Sequence, residues 1–306
     1  MADGDAAVRA ELEVRSPERR FWYPYLLIGP TMMTLVVISL IPFLYTVYLS
    51  LHEVKYGQVR GFIGLENFLI VLADPRFWNA MGVALVFVLI AVPIEFMLGL
   101  VGALILNAGV RCRSVLVPMM FIPTMMAPIV VGLLWKILFA GSWGLLSYNI
   151  FERFGILSGA SIFGSPGLAL YGIILVDIWQ WTPFMVLAFF AGLQSLPVNP
   201  YRAAAIDGAN SVQVFFLITL PMMAPLLVVI VILRLIDAFK IFDSIFILTG
   251  GGPGDATEAP SILAYKMVFE YWEIGEASAL AVLVWLLFFG FCNLFYQVAK
   301  KRLNAF

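Results

Sequence analysis

The chain has 306 residues, of which 62% are hydrophobic and 12% charged, with a formal net charge of −1. Soluble domains carry about 45–50% apolar and about 25% charged residues, so this composition puts the chain in the membrane class. The charge balance leaves no basic footprint for nucleic acid, and the single histidine, His52, excludes a multi-histidine metal site.

Residues 1–20 are polar and end in Arg15, Arg19 and Arg20. The apolar run that follows, from Phe21 to about residue 51, exceeds the roughly 7–15 residues of a signal-peptide core, and no A-x-A-like site follows it. It is read as a retained first span. A span needs about 20 largely apolar residues. Six segments qualify, at about 22–50, 79–106, 115–138, 168–192, 215–240 and 277–299. Pro42, Pro93, Pro123, Pro128 and Pro183 fall inside them. Prolines are tolerated in spans where neighbouring helices satisfy the freed carbonyls, so a packed, kinked, all-α bundle is expected. Residues 1–20 are then a tail, and 21–306 form one transmembrane domain.

Arg9, Arg15, Arg19 and Arg20 precede the first span, Arg111 and Arg113 follow the second, and Lys300, Lys301 and Arg302 follow the sixth. The positive-inside rule places all of these, and both termini, in the cytosol. The segments after the first, third and fifth spans then face outward. The last of these contains Gly250-Gly251-Gly252-Pro253, which reads as a tight turn, since no Lys-Ser/Thr follows to make a phosphate cradle. Cys112 and Cys292 lie toward the cytosolic side, where thiols stay reduced, and no C-x-x-C spacing occurs.

Between the fourth and fifth spans lies the cytosolic stretch 197–221. Pro197 and Pro200 end the preceding helix. Tyr201–Ile206, with three central alanines, is a strong helix former, Asp207-Gly208 is a helix stop, and Ser211 is the expected cap of a second short helix. Ala203-Ala204, Gly208, Ile218, Leu220 and Pro221 occur at a spacing that resembles the cytosolic loop of permease subunits of ATP-binding-cassette importers. That loop reads Glu-Ala-Ala, three residues, Gly, nine residues, Ile, any residue, Leu-Pro. Arg202 stands where the family has glutamate.

The resemblance continues in Gly64-Leu65-Glu66-Asn67-Phe68, Asp74-Pro75-Arg76-Phe77-Trp78, Trp181-Thr182-Pro183-Phe184 and Leu248-Thr249-Gly250-Gly251-Gly252-Pro253, in order along most of residues 20–300. It points to the maltose-type carbohydrate subfamily, with trehalose and other α-glucoside permeases the nearest likeness. The family implies a six-helix bundle of the type I importer (MetI-like) kind in a bacterial or archaeal plasma membrane. It implies a second, different permease, two cytosolic ATPase subunits that hold ATP and Mg, and an external sugar-binding protein, with no cofactor in this chain. Arg202, Ala203, Ala204, Asp207 and Gly208 are then the ATPase-coupling residues. The family's glutamate can pair with a basic group of the ATPase; Arg202 would need an acidic or neutral one, or serves as a topology charge.

Arg234, Asp237, Lys240 and Asp243 recur at three-residue steps at the end of the fifth span. Neighbours at i,i+3 can pair on a helix, and a lone basic residue at mid-bilayer costs roughly 2.5–3.5 kcal/mol on insertion scales. The pattern is either a self-satisfied ladder or a polar stripe lining a sugar path, with Arg234 structural and Asp237, Lys240 and Asp243 the pathway candidates. Gln180 and Trp181 join them as a planar amide and an aromatic face suited to a sugar; the tryptophans fit an interfacial belt equally well. Glu95, two residues after Pro93, is expected to pair within the bundle. No catalytic constellation and no nucleotide motif occurs, so this chain is expected not to be an enzyme. The competing reading is an ion-coupled secondary transporter, whose usual inverted repeats are not found here.

Overall fold

The computed structural model describes residues 23–140, 144–146 and 162–303. The expected tail 1–20, most of the expected outward segment near 139–167, and the side chains of Lys301 and Arg302 lie outside the described residues. Among the described residues five helices are long and apolar enough to cross a membrane, and a bent helix pair makes six when it is counted as one span.

The first span consists of α1 (Tyr23–Leu35), a π-turn (Val36–Leu40) and α2 (Ile41–Ser50). Pro42 has no N–H to give to the preceding turn. The ladder slips by one residue just ahead of it, and the Ile41 N–H bonds to the Val36 carbonyl instead. A two-stranded hairpin follows, β1 (His52–Lys55) and β2 (Gln58–Phe62), the one sheet among the described residues. Its two turn residues, Tyr56 and Gly57, both have positive φ (52° and 77°), the geometry that a two-residue hairpin favours. Asn67, buried at the start of α3 (Glu66–Ala73), donates to the Ser50 and His52 carbonyls at 2.9 and 3.0 Å and ties the hairpin to the end of the first span.

The centre of the bundle is the pair α4 (Pro75–Asn107) and α7 (Ala169–Gln194). They approach through small residues, as membrane helices must when no hydrophobic force drives them together. A Cβ placed on Gly99 would sit 2.5 Å from the Met185 Cβ, and one on Gly102 would sit 2.7 Å from a Val186 methyl. Ala103 is fully buried against the same face.

The third apolar segment, expected as one span at 115–138, is broken. The helices α5 (Arg113–Met125) and α6 (Pro128–Leu138) meet at 92°. Pro128 excludes the helical region for the residue before it, and Ala127 and Met126 are both extended. The bend is braced by α7: Thr124 donates to the Gln180 carbonyl at 2.7 Å, and the Gln180 amide donates to the Met126 carbonyl at 3.2 Å.

Beyond α7 come α8 (Asn199–Ile206), α9 (Ser211–Val214), a second π-turn (Phe215–Thr219) and α10 (Leu220–Phe239). Here too the slipped bond, Leu220 N–H to Phe215 carbonyl, lies immediately before a proline, Pro221. α11 (Asp243–Leu248), α12 (Pro260–Phe269) and α13 (Ile274–Leu303) complete the described residues.

Gly99→Leu should force α4 off α7. Overpacking typically costs about 1–3 kcal/mol, so its thermal midpoint in detergent and its membrane yield should both fall. Gly290→Leu, where a Cβ meets nothing within 4 Å, is the control and should change neither.

Candidate functional site

Two places in the molecule collect the residues singled out from the sequence. The first is the α8–α9 segment. α8 ends in a Schellman arrangement: the Ala209 N–H bonds to the Ala204 carbonyl at 2.9 Å and the Gly208 N–H to the Ala205 carbonyl at 3.3 Å, with Gly208 at φ 74°. A side chain at Gly208 would be strained in that conformation. The cap of α9 is Asn210 rather than the expected Ser211. Asn210 accepts from the Gln213 N–H and Gln213 accepts from the Asn210 N–H, each at 2.9 Å, a complete capping box. Ala204 turns into the bundle, while Arg202, Ala203, Ala205 and Asp207 are exposed. Ile206 and Val212 are also exposed, at 87% and 65%. The segment is anchored by Tyr201, whose hydroxyl donates to Thr219 in the π-turn at 3.1 Å. Among the described residues Arg202 makes no ion pair.

The second place is inside the membrane. Arg234 of α10 reaches Glu95 of α4 through two parallel bonds, Nε to Oε2 at 2.6 Å and Nη2 to Oε1 at 2.9 Å. Nη2 also donates to Asp177 of α7, and Nη1 to Asp237, one turn along α10, at 3.2 Å. The side chains of Arg234, Glu95 and Asp177 are 1%, 0% and 5% exposed, while Asp237 is 36% exposed. The Arg234 guanidinium also lies 5.2 Å from the centre of the Trp181 ring, within the range of a cation–π contact.

Asp237 is shared, since Lys240 Nζ approaches its other oxygen at 3.4 Å. The ladder expected along one helix stops there. α10 ends at Phe239, residues 240–242 are irregular, and Asp243 begins α11 without an ion pair to Lys240. This break opens a polar pocket of about 260 Å³, lined by Asp177, Trp181, Arg234, Asp237, Lys240 and Asp243 and closed on one side by Pro128 of the bent span.

Of the five pathway candidates, Trp181, Asp237, Lys240 and Asp243 therefore meet in one pocket. Gln180 does not; it is 1% exposed and occupied with the bend at Met126. Trp179 also turns elsewhere and packs on Trp135 with ring centres 5.4 Å apart. The expectation that Glu95 pairs within the bundle holds. What the sequence did not reveal is its partner, 139 residues away. The glycine run forms a turn, with Gly250 and Gly251 at positive φ and the Thr257 hydroxyl donating to the Gly252 carbonyl at 2.7 Å. Among the described residues no cluster of His, Cys, Asp and Glu could hold a metal ion.

Removing one member of a buried charge cluster strands the others, at a cost of about 3–5 kcal/mol. Arg234→Ala should therefore lower the thermal midpoint sharply. Lys240→Ala, on a side chain 68% exposed, should stay within about 1 kcal/mol of the parent.

The family described as the binding-protein-dependent transport system inner membrane component matches residues 95–305. The trehalose/maltose transport system permease protein MalF of Thermococcus litoralis is 38% identical over 282 residues, covering 91% of this chain and 94% of the relative. The trehalose transport system permease protein SugA of Mycobacterium tuberculosis is 32% identical over 280 residues, covering 91% and 88%. In fold, the chain matches a solved bacterial ABC transporter involved in import of the acidic polysaccharide alginate, with a TM-score of 0.79 at 19% identity over 92% of this chain and 96% of that one. The multi-pass helical bundle, the broken polar helix and the sequence match together lead to one conclusion: the chain belongs to the binding-protein-dependent transport system inner membrane component family.

Proposed function

We infer that this chain is the permease subunit of an ATP-driven importer of a neutral sugar, with disaccharides of the trehalose and maltose kind as cargo. It works in the plasma membrane with both termini in the cytosol and shares the translocation path with a second, different permease. Two cytosolic ATPase subunits, carrying ATP and Mg, drive it, and an external sugar-binding protein feeds it. Relatives named for trehalose and maltose transport support the cargo.

The observation that carries the reading is the pocket at the α10–α11 break. An aromatic face, Trp181, stands beside hydrogen-bonding groups of both signs, Asp237, Lys240 and Asp243, at a point where a membrane helix is interrupted. Irregular backbone at membrane depth is tolerated where it is buried in protein or lines a wet cavity. Asp177, Asp237 and Asp243 outnumber Arg234 and Lys240 by one formal charge, which suits a neutral polyhydroxy solute better than an anion. Membership of a binding-protein-dependent family removes the support for an ion-coupled transporter.

Coupling is assigned to α8 and α9, with Arg202, Ala203, Ala204, Asp207 and Gly208 at the contact with the ATPase. The Schellman end, the exposed Ile206 and Val212, and the Tyr201–Thr219 bond to the π-turn that leads into α10 support a segment that can take a push and pass it to the span. Arg202 then meets an acidic or neutral group on the ATPase.

Gly208→Pro cannot adopt φ 74°; it should abolish co-purification of the ATPase while this subunit still reaches the membrane. Retained ATPase would sink the coupling assignment. Lys240→Ala should cut uptake roughly tenfold in the assembled complex, as expected for loss of a charged hydrogen bond of about 1.5–3 kcal/mol. Normal uptake would remove Lys240 from the path.

A further inference from the structure

We propose that Arg234 is a positioning residue for the sugar pocket: held from behind by Glu95 and from the pocket wall by Asp177, it sets the orientation of Asp237 and Trp181 while its own side chain stays almost wholly buried. The proposal rests on the sugar-permease reading above.

A guanidinium offers five N–H donors in a fixed plane. Here one edge is spent on Glu95 as a bidentate pair, the Nη2 group also serves Asp177, and Nη1 is the donor aimed at Asp237. The edges thus have carboxylate partners, and the guanidinium carbon lies over the Trp181 ring at 5.2 Å from its centre. Exposure falls off in one direction. Asp237 is 36% exposed at the pocket, and Arg234 just behind it is 1% exposed. Glu95, on α4 at the back, is fully buried and does not line the pocket.

Asp237 is consequently held from both flanks, by Arg234 on one oxygen and Lys240 on the other. A carboxylate fixed this way presents its free lone pairs in one direction, which is what discrimination among sugar hydroxyls requires. Lysine could not replace Arg234, because a point charge can neither hold a bidentate partner nor present a planar face. Neutralising Glu95 removes the opposing pull from the far edge of the guanidinium. Arg234 is then drawn toward Asp237 and away from its place over Trp181, changing the pocket although Glu95 does not line it.

The alternative is that the cluster merely pins α4, α7 and α10 together. A double-mutant cycle separates the two, because residues acting through one another are non-additive while independent ones add. The assembled importer, with its binding protein, is reconstituted in proteoliposomes, and labelled trehalose taken up per ATP hydrolysed is measured for Glu95→Gln, Asp237→Asn and the double variant. Values are normalised to assembled complex. Positioning predicts a roughly tenfold loss for each single change, a double variant no worse than Asp237→Asn alone, and ATP hydrolysis preserved in Glu95→Gln. Arg234→Lys, which keeps the buried charge, should lose uptake per ATP to the same extent, and it replaces Glu95→Gln in the cycle if that variant fails to assemble. Losses that multiply, or uptake and hydrolysis falling together, overturn the positioning role while leaving the pocket as the sugar path. Full uptake in Asp237→Asn overturns both.

Discussion

A guanidinium buried within a membrane span must find its solvation within the protein, because hydrocarbon offers none. Arg234 does so with carboxylates from three different spans, and much of the central architecture follows from that requirement. Glu95 and Asp177 reach the same cation only because α4 and α7 lie very close together. They lie close because glycine occupies the contact at residues 99 and 102. The third carboxylate, Asp237, comes from the same helix as the arginine, just before that helix stops. Packing and electrostatics are thus one arrangement here, and neither survives without the other.

The backbone obeys the same rule. Where Pro128 breaks the third span, the Met126 carbonyl loses its helical partner and Gln180 supplies a replacement from α7. The break also leaves room beside α7 that Asp177, Trp181 and the loosened end of α10 turn into a pocket. A defect in one helix is thus met by a side chain of its neighbour, which gives the Met126 carbonyl a partner beside the polar pocket.

Much of this was legible in the sequence, and the misses have physical causes. Hydropathy located the apolar segments because burial in lipid is set by composition. It could not see the 92° bend, since a sum over residues carries no direction; Pro128 was the available sign. Gln180 looked like a sugar ligand beside Trp181, and only the fold shows its amide turned to a carbonyl at the bend. Asn210 and Ser211 are equally good caps by residue type. Gln213, three residues after Asn210, was the signal that decides between them. Spacing flagged Arg234, Asp237 and Lys240, but nothing local could connect Arg234 to Glu95 across 139 residues. The general expectation that membrane charges find partners was sound; the identity of the partner was a tertiary fact.

The π-turn at Phe215–Thr219 has a consequence of its own. It adds one residue to the helix without adding a turn, and at 3.6 residues per turn one residue is a rotation of about 100°. The short helices α8 and α9 lie on one side of this turn, and Arg234 with its pocket lies on the other. The turn therefore works as a phase setter along a drive shaft: it fixes the azimuth at which a push on the exposed helices reaches the polar pocket. Closing it into an ordinary α-turn with all its residues kept would leave both ends intact and put them about 100° out of phase, whereas deleting one residue along with it would keep the phase.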